Sequence, residues 1–318
     1  MKKSFITKIL AGIILAVVTV TGINTVFAEE NSELPDIYLQ VSPVSSRIKL
    51  DPSQVYDGSI KVSNVGGSAF DVKIYASPYN VENLTYYQNF NERGNFNKIA
   101  NWITFEQNVF PDMEPGTTIE VKYTITVPDD APGGGQYAVL FAETTGKNSA
   151  ESSIQTINRV GHTIYATVSG DTKEAGSLVS LDQKSLYFDG NIGSTAIIEN
   201  SGNVDFTSIN NLKVESIFGT ELYNESKNFT IVADTSRQIE REWEETPMVG
   251  LFKVTNEIKF MGKSQFVESK LVLVMPIWLI VIFVIIIIAL ITLVVVKIRK
   301  RNKKGSYKSK NNPVNITE

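Results

Sequence analysis

The chain contains no cysteine and a single histidine, and each scarcity removes a class of chemistry. Without cysteine there is no disulfide, no thiol nucleophile and no thiolate metal ligand. One histidine, His162, cannot build a histidine-based triad with a thiol or a His-ligated zinc centre. It stands in Gly161-His162-Thr163, just ahead of a strand-like segment, where a structural role is expected. Carboxylate pairs remain, for instance within Glu240-Arg241-Glu242-Trp243-Glu244-Glu245. A glycosidase needs two carboxyls held across a cleft, whereas charges alternating along a strand describe a solvated face. Gly133-Gly134-Gly135 is not followed by Gly-Lys-Ser/Thr and opens no helix, so it reads as a turn whose glycines supply positive φ rather than a phosphate loop. Asp129-Asp130 lacks the further oxygen ligands that calcium requires. The expectation is a non-enzymatic protein with no cofactor and no metal.

Two further absences set the architecture. Between residues 29 and 274 no segment sustains a 3.6-residue apolar period, so helices are minor there. Residues 275–296 carry no charge and are mostly Ile, Val and Leu; as a helix they extend about 33 Å, enough for a bilayer core of about 30 Å. The basic run Lys297-Ile298-Arg299-Lys300-Arg301-Asn302-Lys303-Lys304 follows directly and places this end in the cytoplasm by the positive-inside rule. At the other end Lys2, Lys3 and Lys8 flank an apolar run over 9–20, and Val26-Phe27-Ala28 forms a small-residue cleavage site. The expected organisation is a signal peptide over 1–28, an extracellular region over 29–274, a transmembrane helix over 275–296 and a basic cytoplasmic tail over 297–318. That makes a single-pass, type I protein of the cell membrane.

Charge divides along the same boundaries. Of 34 acidic residues all but Glu318 precede the span, while 8 of the 30 basic ones lie beyond it. An acidic ectodomain excludes nucleic acid as the main partner. Holding about 246 extracellular residues together without disulfides requires hydrophobic cores, and the length suits two domains. A cysteine-free ectodomain behind a short signal fits a bacterial surface with an external wall.

Strand patterns fill that ectodomain. Residues 59–65 alternate apolar and polar, Gly66-Gly67 turns the chain, and 70–75 alternate again, which predicts a hairpin. Residues 118–127, 137–142 and 163–168 continue the series. The second half repeats the first: Asn200-Ser201-Gly202 between strands at 194–200 and 206 onward parallels Asn64-Val65-Gly66, a strand near 212–218 follows, and 237–242, 250–254 and 266–274 read as the returning strands. Short strands at regular spacing predict an all-β fold of two tandem immunoglobulin-like β-sandwich domains, 29–170 and 171–274, joined around 170–176, plus one C-terminal transmembrane helix.

One connection carries a binding signal. Over 78–102, Tyr79, Tyr86, Tyr87, Phe90, Phe96 and Trp102 are interleaved with asparagines and Gln88. Flat rings beside amide side chains suit sugar rings or a peptide laid along a sheet edge. Tyr79, Tyr86, Tyr87, Phe90 and Trp102 are therefore the candidate ligand-binding residues. The bland alternative puts Trp102 and one or two others in the core while the rest hold down a long connection.

The layout resembles the Gram-positive WxL-interacting proteins. The resemblance rests on Ile48-Lys49-Leu50-Asp51-Pro52 ahead of Asn64-Val65-Gly66-Gly67, the aromatic connection into Trp102-Ile103-Thr104-Phe105, Pro115-Gly116, the stretch Val127-Pro128-Asp129-Asp130-Ala131-Pro132-Gly133-Gly134, and Met275-Pro276-Ile277-Trp278 opening the span. It implies two immunoglobulin-like domains ahead of a membrane anchor, the outer one binding peptidoglycan and the inner one engaging a partner. The functional expectation is a membrane-anchored cell-surface protein that binds peptidoglycan, a secreted surface protein, or both; the alternative is a structural stalk of a membrane-associated complex.

Overall fold

Apolar side chains at every second position leave the strands with one face to bury, and stacking two sheets face to face is how this chain buries them. The computed structural model describes residues 36–82, 84–145, 157–188, 190–262 and 264–309. The expected signal peptide lies outside the described residues. The first eleven strands are β1 (Leu39–Ser42), β2 (Ser45–Leu50), β3 (Val55–Asn64), β4 (Phe70–Pro78), β5 (Asn80–Glu82), β6 (Tyr87–Asn89), β7 (Ile103–Phe105), β8 (Val109–Met113), β9 (Thr118–Thr126), β10 (Gly134–Thr145) and β11 (Arg159–Val168). A four-stranded sheet, β1-β3-β9-β7, packs on a five-stranded one, β2-β11-β10-β4-β8. Between them lie Val62, Val72, Ile74, Val121, Leu140 and Ile164, all fully buried.

The second sandwich uses β12 (Gly176–Gln183), β13 (Leu186–Tyr187), β14 (Ile192–Asn200), β15 (Phe206–Ser216), β16 (Glu221–Ile231), β17 (Thr235–Trp243), β18 (Gly250–Phe260) and β19 (Ser264–Val274). Its sheets are β12-β14-β17 and β13-β19-β18-β15-β16. The fold is all-β: two immunoglobulin-like sandwiches in tandem, followed by one apolar helix. A polar layer crosses the second core. Ser194 donates to Asn256 at 2.5 Å, Asn256 to Gln183 at 3.1 Å, and Gln183 to the Tyr187 hydroxyl at 3.3 Å, so these buried groups satisfy one another. Apolar clusters flank this layer on both sides.

The predicted hairpin over 59–75 is not a hairpin. β3 pairs with β1 and β9, whereas β4 pairs with β10 and β8 in the opposite sheet. The chain arches from one sheet to the other, and Asn64, with no exposed surface, closes the arch. Its Nδ2 donates to the carbonyls of Ser68 at 2.9 Å and Met113 at 2.8 Å, and its Oδ1 accepts the Gly66 N–H at 3.0 Å. Asn200 does the same in the second sandwich, donating to Val204 and Ile231 and accepting from Gly202. The sequence repeat is thus a repeated inter-sheet arch.

His162, 1 % exposed, is held at both ring nitrogens. Nδ1 lies 2.7 Å from the Pro43 carbonyl, which only accepts, so Nδ1 carries the proton and Nε2 accepts from the Ser46 hydroxyl at 3.0 Å. Burial pushes its pKa below the ordinary value. Below about pH 6.5 the unfolded chain therefore takes up a proton that the folded chain resists, and stability falls as pH drops towards the lowered folded value. Urea midpoints should decline over this window and flatten in His162→Gln; equal slopes in the two proteins would remove His162 from the account.

The helix α1 (Ile277–Ser309) begins only two residues after β19. The Met275 N–H bonds to the Tyr187 carbonyl at 2.9 Å, and the Pro276 carbonyl accepts the first helical bonds, from Leu279 and Ile280. Residues Ile277–Arg299 are long and apolar enough to cross a membrane. Thr292 donates its hydroxyl to the Ile288 carbonyl one turn back, at 2.8 Å, so this polar group is satisfied within the helix.

Candidate functional site

Strand β10 is buried on both faces. Ala138, Leu140 and Ala142 point into the first core, while Tyr137, Val139 and Phe141 point outward and are covered as well. The outer face of its sheet, with Tyr75 and Tyr165 beside them, is an aromatic platform, and the connection over 79–97 folds down onto it. Phe90 meets Phe141 edge-on at 4.9 Å, Tyr79 meets Tyr165 edge-on at 6.1 Å, and Tyr137 meets Tyr165 at 5.9 Å. Such tilted contacts let a ring edge face a neighbour's π-cloud. The Arg159 guanidinium closes one side, 4.7 Å above Phe141.

The second sandwich supplies the rest of the cover. Val232 and Ala233, in the turn between β16 and β17, join the same buried cluster. The Ala233 N–H donates to the Tyr137 hydroxyl at 3.1 Å, and the Val232 N–H to the Tyr86 hydroxyl at 2.8 Å; that hydroxyl also bonds Thr235 at 2.8 Å. Arg237 lies 4.4 Å above the Tyr86 ring, a cation–π contact. The Leu84 carbonyl, at the tip of the β5–β6 hairpin, accepts the Gln238 N–H at 2.7 Å from edge strand β17. Burial raises the Tyr86 hydroxyl to about 12 and lifts those of Tyr79, Tyr137 and Tyr165 above the ordinary phenol range. All four stay neutral at physiological pH. Tyr137→Phe would leave the Ala233 N–H buried without its partner, a loss of about 1–3 kcal/mol readable as a lower urea midpoint; no change would mean water replaces the hydroxyl.

Polar contacts finish the junction at its rim. Arg47, on β2, forms an ion pair with the buried Asp205 carboxylate, donates to Thr230 at 2.9 Å and stacks 5.0 Å above Tyr165. The three glycines 133–135 mark the closest approach. Gly134, at φ +118°, sits where a Cβ would lie 2.6 Å from the Asn203 carbonyl, and that carbonyl accepts the Gly135 N–H at 2.6 Å. A Cβ on Gly133 would meet the Asp171 backbone at 2.7 Å. Asn203 also reaches the joining segment itself, donating to the Asp171 carbonyl and accepting the Lys173 N–H, both at 2.6 Å.

The five candidate ligand-binding residues are therefore distributed differently from an open contact surface. Tyr79 is 5 % exposed within the cluster, and Tyr86 and Phe90 are half-buried against it. Trp102 is half-buried against the first core, and its backbone N–H donates to the Ile99 carbonyl at 2.9 Å. Tyr87 alone of the five stands clear, 67 % exposed. The rings are drawn inward because β10 has a second apolar face to cover. The asparagines are spent on the loop itself: Asn97 donates to Asn80 at 2.8 Å and to the Glu92 carbonyl at 3.0 Å, and Asn89 accepts the Asn91 N–H at 2.9 Å. Arg47, Asn203, Asp205 and Val232 escaped sequence reasoning. The available signal was the unbroken apolar run Tyr137-Ala138-Val139-Leu140-Phe141-Ala142, which describes a strand covered on both sides.

No family model matches this chain, and no curated protein is similar to it. Among solved structures it is similar to the class 5 fimbriae chaperone CfaA, at 13 % identity over 73 % of this chain and 99 % of that one, with a TM-score of 0.38. It is also similar to the YadV chaperone, at 10 % identity over 74 % and 99 % with a TM-score of 0.36, and to the E. coli chaperone DraB, at 9 % identity over 74 % and 97 % with a TM-score of 0.36.

Proposed function

We propose that this chain is a non-enzymatic, membrane-anchored surface protein whose two sandwiches form a rigid extracellular arm that binds wall peptidoglycan, a secreted surface protein, or both. The observation that carries the reading is the junction: aromatic rings, an ion pair and hydrogen bonds fix the first sandwich on the end of the second that lies a strand's length from the apolar helix. A fixed arm holds a surface at a set distance from the bilayer. The basic residues after the span support an extracellular orientation for the sandwiches. Around Tyr87, the exposed Gln88 and Asn91, continuing into the exposed stretch Glu92-Arg93-Gly94-Asn95, are parts of the aromatic connection that a glycan or peptide could touch.

The test is a sedimentation and capture experiment with residues 29–274, offered separately to isolated wall sacculi and to the secreted proteins of the same organism. Co-sedimentation that weakens in Tyr87→Ala supports glycan binding through this surface. Specific capture of one secreted protein supports the adaptor role. Binding to neither overturns both and leaves the second reading, a structural stalk. That reading is favoured by the packing of Tyr79, Tyr86, Phe90 and Trp102, because most rings of the aromatic connection are already used inside the protein.

A further inference from the structure

The end of the second sandwich nearest the helix presents apolar side chains on three separate loops. Phe188 follows β13, Ile217 and Phe218 form the β15–β16 turn, and Met248 and Val249 precede β18. All five are exposed, Phe218 by 89 % and Met248 by 68 %. Strand register brings the loops to one level. Tyr187 and Gly250 both lie opposite Val274, the last residue of β19, and Ser216 lies opposite Phe252. Trp278, in the first turn of α1 and 53 % exposed, lies just beyond. An open cleft of about 540 Å³ runs between this end and the helix start, lined by Phe188, Met248, Val274, Pro276 and Trp278 among others.

We propose that this end of the second sandwich seats in the interfacial layer of the bilayer, with Phe218 and Met248 inserted among the headgroups and Trp278 at the same depth. The inference rests on the reading of α1 as a membrane span. Chain continuity selects lipid as the occupant. Only Met275 and Pro276 separate β19 from the helix, and two extended residues cover about 7 Å at most. Loop tips level with the end of β19 are therefore held at headgroup height whenever the helix is in the membrane. Exposed aromatic and thioether side chains at that height gain free energy by leaving water, and tryptophan favours this boundary. The ionisable residues of the loop after β17 are Glu244 and Glu245, both exposed, so the contact draws on apolar burial rather than on attraction to anionic lipid. Three points of contact around one helix fix the tilt of the arm, which a two-residue tether alone leaves free.

Because the chain has no cysteine, single probes can be placed cleanly. The full chain in phosphatidylcholine nanodiscs would carry one fluorophore at Thr220→Cys, Pro247→Cys, Ile287→Cys or Val44→Cys, with spin-labelled lipid as quencher. Strong quenching at 287 reports the span itself. The expected result adds headgroup-level quenching at 220 and 247, several-fold above that at 44 and unchanged at high salt, with a marked loss at 220 on adding Phe218→Ser and Met248→Ser. Quenching at 287 with water-exposed probes at 220 and 247 overturns the seat and keeps the span. No quenching at 287 overturns the span reading itself. Probes at 220 and 247 shielded from water yet not quenched by lipid would mean that a protein, such as a second copy, covers this end, and would also overturn the proposal.

Discussion

Asn64→Ala should destabilise the first sandwich by roughly 3 kcal/mol or more. The side chain is fully buried and makes three hydrogen bonds to backbone groups of the arch. Truncation leaves two carbonyls and one N–H without that partner, and each buried orphan costs about 1–3 kcal/mol unless water enters. Asn64→Asp should be at least as damaging, since it replaces both N–H donors with a carboxylate oxygen facing the Ser68 and Met113 carbonyls. Asn200→Ala should cost a similar amount in the second sandwich, because its bonds are of the same kind and length. Urea unfolding of the ectodomain reads the loss directly. A change within about 0.5 kcal/mol, the level of an ordinary surface substitution, would show that the asparagines do not hold the arches.

Tyr86→Ala should uncouple the two sandwiches, with a loss on the order of 3 kcal/mol from the junction. The change removes a ring packed against the inter-sandwich cluster, the acceptor of the Val232 N–H, the partner of Thr235 and the surface beneath Arg237. It touches none of the residues of the first core, so that sandwich should stay folded. Spin labels at Val44→Cys and Val179→Cys, both well exposed, should give a narrow distance distribution in the parent and a broad one in the variant. Tyr86→Phe keeps the ring and loses the hydroxyl, so its distribution should fall between the two. A narrow distribution in Tyr86→Ala would mean that Arg47, Asn203 and Tyr137 hold the junction without it.

The long central strands and the direction of their side chains were legible in the sequence, because alternation is a local property. Ile60, Val62, Phe70, Val72 and Ile74 all read as inward-facing, and all are buried. Their assignment to sheets was not legible. A hairpin and an arch present the same alternation, and only the hydrogen-bond partners β9 and β10, about 60 and 70 residues further on, separate the two. Strands β2, β5, β6, β7, β8, β12, β13 and β16 went unread, because each lies at a sheet edge or in the two-stranded β5–β6 ribbon and is short or largely exposed, which weakens the pattern.

For the candidate site the division is sharper. The absence of cysteine, the lone histidine, the aromatic and asparagine-rich connection, the glycine run and the apolar helix were all fixed by residue type. What those residues do depended on where the chain carries them. Tyr86 reads as a free ring until the turn holding Val232 arrives beside it from 146 positions away. Gly134 reads as a simple turn residue until Asn203 occupies the space of its missing Cβ. Sequence determines which groups must leave water or find a partner, since hydrophobicity and hydrogen-bonding capacity belong to the side chain itself. Tertiary structure alone decides which partner meets that demand, because the partner is chosen by packing between segments that no local pattern connects.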